Sequence, residues 1–60
     1  MPLSGKEMLK LYEKEGWLAL RQKGSHVRVV KGAAHESIPM HRELNKGMEV
    51  KLIKALERNR

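Results

Sequence analysis

The residues best suited to chemistry in this chain are His26 and the cations around it. They lie in the stretch Lys23-Gly24-Ser25-His26-Val27-Arg28-Val29, with Arg21 just upstream. An imidazole gives and takes protons near cellular pH. Guanidinium and ammonium groups beside it would stabilise negative charge building on phosphoryl oxygens. RNA carries its own nucleophile, the ribose 2′-OH. A base for that proton, with cations at the phosphate, is a minimal catalyst of phosphodiester cleavage. A surface histidine without a role fits the same spacing, and spacing alone does not separate the two.

Ser25 is not expected to be a nucleophile paired with His26. Neighbouring strand residues point to opposite faces, so the imidazole is badly placed to take the serine proton. Ser25 is expected to tie down the turn through its hydroxyl. His41 follows Pro39-Met40 and could share a rim with His26. It reads as an RNA contact or a loop residue sooner than as a second proton carrier. His35, in a Gly/Ala-rich turn, reads as solvated. The three histidines match no zinc-ligand spacing, so no metal and no cofactor is expected. Glu13 and Glu15, two apart on a helix, do not face each other and make no catalytic pair.

Those groups need a scaffold, and sixty residues bound what it can be. A chain of this length is expected to form a single domain, residues 1–60. It buries only about 60% of the surface its unfolded form exposes, which leaves stability marginal and any site on a surface or shallow groove. There is no cysteine, so disulfides and thiolate metal sites are excluded and a cytoplasmic location is expected. Gly5, Lys6 and Glu7 interrupt any apolar signal region, and no run approaches a membrane span. Thirteen Lys and Arg against seven Asp and Glu give +6, with a pI near 10.1. That balance points to a polyanion or an acidic protein as partner. Only Tyr12 and Trp17 are aromatic, too few for a base-stacking platform, so phosphate and backbone contacts are the expected mode.

Along the chain, Ser4 and Glu7 form a capping box, with Leu3 and Met8 as its hydrophobic staple. Met8, Leu9, Leu11 and Tyr12 recur at helical spacing, and Gly16 suits the position past the helix end. Residues 17–21 have strand composition, although Leu18 and Ala19 leave its inward face ambiguous. Lys23-Gly24 is a turn signal. Val27, Val29 and Val30 make 25–31 a second strand. Residues 32–34 read as a loose turn and 36–38 as a short third strand ended by Pro39. After a loop over 40–45, Asn45 caps a second helix with Met48, Leu52, Ile53 and Leu56 as its apolar stripe. The expected class is α+β in the order α-β-β-β-α, a three-stranded antiparallel sheet with both helices on one face. With Val27 and Val29 facing the helices, His26 and Arg28 would face solvent side by side.

The Gly16-Trp17 start of strand one, Arg21, Gly24-Ser25-His26, Ile38-Pro39-Met40-His41 and Glu43-Leu44-Asn45-Lys46-Gly47 together resemble the HicA toxins. The resemblance spans nearly the whole chain. It implies the toxin of a type II toxin–antitoxin pair, with a fold similar to double-stranded-RNA-binding domains. Such toxins are mRNA interferases, metal-independent endoribonucleases that cleave mRNA and block translation. A HicB antitoxin binds them and masks the active face. The family's catalytic histidine falls on His26. Arg21, Lys23, Arg28 and His41 are the accompanying candidates for RNA contact. Many relatives carry a second histidine and an aromatic where this chain has Val27 and Val29, and neither departure removes the catalytic group. Two rival readings remain: a non-catalytic RNA-binding module of the same fold, and a basic adaptor that only pairs with an acidic protein.

Overall fold

The computed structural model describes residues 3–60. Ser4 begins the first helix, α1 (Gly5–Lys14), with both halves of the capping box formed. The Ser4 hydroxyl accepts from Glu7 N at 3.1 Å, and the Glu7 carboxylate accepts from Ser4 N at 2.9 Å. Two of the helix's orphan donors are thereby satisfied. At the other end Gly16 takes φ 92°, which turns the chain out of the helix without a Cβ penalty. Three strands follow: β1 (Leu18–Lys23), β2 (His26–Lys31) and β3 (Ala34–Pro39), then α2 (Lys46–Arg58). The sheet is antiparallel in the order β1-β2-β3. This is the α-β-β-β-α arrangement expected from the sequence.

Both hairpins close on two residues. Lys23 pairs with His26 around Gly24-Ser25, and Lys31 pairs with Ala34 around Gly32-Ala33. Gly24 and Gly32 have φ of 60° and 59°, the left-handed first position that lets a tight turn match the twist of its strands. Residues 32–34 are therefore no loose turn. The second turn is as short as the first, and β3 is six residues long rather than three. His35 moves with it, out of the turn and onto β3 opposite Val30, where it is exposed.

Both helices pack on the same face of the sheet. Met8 and Tyr12 from α1, Leu52 and Leu56 from α2, and Val27, Val29 and Ile38 from the sheet share one core with Trp17 and Leu44. The expected α2 stripe is there, with Met48 and Ile53 only partly buried and Ala55 added to it. Asn45 caps α2, its side-chain oxygen accepting from Met48 N at 2.8 Å. Fully burying side chains of this size contributes about 1.5–3 kcal/mol each, so a few of them decide whether so small a chain folds. Tyr12 is the central one. Its ring meets Trp17 edge-to-face at 4.8 Å, and its hydroxyl donates to the Leu52 carbonyl at 2.7 Å, joining the two helices.

Burial, helped by the charge of Glu36, pushes the Tyr12 hydroxyl up to about 12 from 10.0. The neutral phenol is the form the fold favours. Its contribution is whole below pH 10, the unfolded value, and is lost as pH rises through the folded value near 12. Tyr12→Phe is expected to cost about 1 kcal/mol at neutral pH and to flatten the loss of stability between those two values. Urea unfolding of both proteins at neutral and alkaline pH checks both outcomes.

Candidate active site

Alternation along β2 sets the site. Val27 and Val29 are buried against the helices, while His26 and Arg28 are exposed on the outer face of the sheet. In an antiparallel pair, directly opposed residues project to the same face. His26 lies between Lys23 on β1 and Pro39 on β3, and Arg28 lies between Arg21 and Ser37. An open groove is lined by His26, Lys23, Arg21, Arg28, Leu20 and Ser37. The three cations expected around the histidine are therefore brought to it.

Arg21 and Lys23 reach that face only because β1 is irregular. Ala19 pairs with Val29 on the core side, yet Arg21, two residues on, pairs with Arg28 on the outer side. The register shifts between them, with Leu20 as the extra residue. Such a bulge flips the inside–outside order of everything beyond it. A regular strand continuing from Ala19 would put Arg21 and Lys23 on the helix side. The sequence signal was the broken alternation of Leu18-Ala19-Leu20. Leu20 and Ser37, which also line the groove, carried no signal of their own.

His41 is brought close by the loop between β3 and α2. Its ring centroid lies 6.4 Å from that of His26, at an interplanar angle of 67°. The loop that carries it is held by backbone. Gly5 N donates to the His41 carbonyl at 2.9 Å, Met40 N donates to the Ser25 carbonyl, and Leu44 N donates to the Leu3 carbonyl at 2.9 Å. Glu49 of α2 accepts from Leu3 N at 2.6 Å. Gly5 is packed so tightly that a Cβ there would run into the Pro39 carbonyl oxygen and lie 2.6 Å from Met40 Cα. A second groove, lined by His41, Lys6, Arg42, Ser4, Gln22 and Met40, adjoins this loop.

The turn before His26 is fixed differently from the expectation. The Gln22 side-chain amide donates to the Gly24 carbonyl at 2.9 Å, and Ser25 contributes its carbonyl to Met40. Gln22 and the Ser25 main chain thus do what was assigned to the Ser25 hydroxyl. Among the described residues no three histidine or acidic side chains converge to hold a metal ion.

The family model described as HicA toxin of bacterial toxin–antitoxin matches residues 5–58, from the first residue of α1 to the last of α2. The chain belongs to the HicA toxin family. It is thereby placed among the toxins of toxin–antitoxin pairs, whose counterpart is an antitoxin. No curated protein and no solved structure matches it. Val27 and Val29, the two valines flanking Arg28, both point into the core at 6% and 0% exposure. Both act on packing under the sheet, and neither lines the groove.

Gly5→Ala tests how the histidines are held together. Two backbone atoms would have to yield to the new methyl group, so a loss of about 1–3 kcal/mol is expected. The same variant should weaken the NMR cross-peaks between the His26 and His41 rings.

Proposed function

We propose that this HicA-family chain is an endoribonuclease toxin, an mRNA interferase that needs no metal. His26 is its general acid/base. Lys23 and Arg28 contact the scissile phosphate, Arg21 adds positive potential, and His41 lies along the path of the RNA. The observation that carries this reading is the exposed imidazole in a groove that it lines together with three cations. A neutral imidazole there takes the proton of the ribose 2′-OH as its oxygen attacks phosphorus, and the cations stabilise charge on the phosphoryl oxygens. The +6 balance supports attraction to a polyanion, with affinity that falls as salt rises.

The partner in this reading is a HicB-type antitoxin that covers the outer face of the sheet, in a cytoplasmic hetero-oligomer. Two features support that surface. Leu18 and Leu20 on β1 are 63% and 54% exposed, apolar area that a protein partner would bury. The cations around them suit an acidic counterpart. Among the described residues no helix is long and apolar enough to cross a membrane.

The test is an RNA cleavage assay with wild type and His26→Ala, each with and without EDTA. Wild type is expected to cleave equally well in EDTA. His26→Ala is expected to fold, to bind RNA and antitoxin, and to lose about 10²–10⁴ in rate, with no growth arrest when expressed. Cleavage by well-purified His26→Ala at the wild-type rate overturns the assignment. Salt-sensitive RNA binding by wild type with no cleavage product would leave an RNA-binding module instead.

A further inference from the structure

We propose that His41 is the second proton carrier of the cleavage reaction, the general acid that protonates the leaving oxygen while His26 serves as base. This rests on the ribonuclease reading and extends it. In an in-line displacement at phosphorus the entering and leaving oxygens stand on opposite sides. One imidazole cannot reach both at once, so a second protic group on the far side is what the reaction lacks.

The geometry supplies one. A centroid separation of 6.4 Å is too long for a ring-to-ring hydrogen bond and leaves room for one phosphoryl group, each ring within ~2.6–3.2 Å of its own oxygen. Both rings are exposed. Their separation is set by the backbone, because the residue before His41 is bonded to the residue before His26, Met40 N to the Ser25 carbonyl. The Gly5–His41 bond fixes the same loop from the α1 side. Two proton carriers mounted on one rigid frame are what concerted acid–base catalysis requires.

The charged groups facing the pair are cations. Lys23, Arg21 and Arg28 share the His26 groove, and Lys6 and Arg42 share that of His41. Among the described residues no carboxylate lines either groove, so the bound phosphodiester itself provides the negative charge against an imidazolium. The step balances without a further reactant. The 2′-oxygen–phosphorus bond forms as the phosphorus–5′-oxygen bond breaks. The 2′ proton passes to neutral His26, and the proton of His41 passes to the departing 5′ oxygen. The products are a 2′,3′-cyclic phosphate and a free 5′-hydroxyl.

A substrate that needs no acid distinguishes this role from binding. Wild type first maps a cleavage site on RNA, and wild type, His41→Ala, His41→Gln and His26→Ala are then compared on an RNA carrying that site, and on the same RNA with sulfur in place of the scissile 5′ oxygen. Thermal melts accompany each variant. On natural RNA both His41 variants are expected to lose ~10²–10⁴ in rate. A general acid must be protonated, so they should also lose the alkaline limb of the wild-type pH–rate bell. On the thiolate-leaving RNA they should recover most of that loss, while His26→Ala stays impaired. Wild-type rates for the His41 variants on natural RNA overturn the proposal and leave His26 as sole proton carrier. An equal loss on both substrates overturns it too, assigning His41 to binding or structure. Cleavage of natural RNA by His26→Ala at the wild-type rate, or none by wild type, overturns the ribonuclease reading and this inference with it.

Discussion

Burial of Val27 and Val29 beneath the two helices fixes the orientation of β2, and with it the chemistry of this chain. In a strand with one covered face, a slip of one residue would bury His26 and Arg28 in place of two valines. Moving an imidazole and a guanidinium into an apolar core without partners costs several kcal/mol, comparable to the whole stability of so small a domain. The core therefore holds His26 outward more firmly than any hydrogen bond to the ring itself would. Tyr12 reinforces the arrangement, because its ring is buried in the same core as the two valines and its hydroxyl reaches across to the Leu52 carbonyl.

The rest of the site is assembled from three directions around that strand. The bulge at Leu20 turns Arg21 and Lys23 towards His26. The two-residue turn at Gly24-Ser25 sets Lys23 directly opposite it. From the far side, the close approach of Gly5 to residues 39 and 40 presses the His41 loop against the start of β2. Each device is backbone geometry, which moves less than a long side chain and suits a site that has no deep pocket. Precise placement of side chains in a molecule this small has to come from main-chain constraints, since there is little second layer to lock rotamers.

For a member of a toxin family with so small a core, an antitoxin would matter in a way unrelated to inhibition. An antitoxin that binds only the folded chain stabilises it by mass action. Such binding would offset a core of ten buried apolar side chains among the described residues and an indole N–H of Trp17 buried with no hydrogen-bond partner among them. The valines at positions 27 and 29 belong to this side of the ledger. They are small side chains, and they act on core volume.

Much of the fold was legible locally. Ser4 and Glu7, Gly16, Gly24 and Asn45 each act within a few residues of where they stand, so cap, helix end, turn and second cap could be read one by one. The outward pair His26 and Arg28 followed from alternation alone. The length of β3 was not legible, because Ala34 and His35 have no strand preference of their own and are recruited by pairing with Lys31 and Val30. By itself, then, the sequence determined the order of elements, the core stripes, the basic balance and the outward face of His26 and Arg28, all short-range or periodic properties. Only the tertiary structure decided that Arg21 and Lys23 share the histidine's face and that His41 meets His26. Those depend on a register shift between strands and on contact between residues more than thirty positions apart, and neither leaves a mark on local spacing.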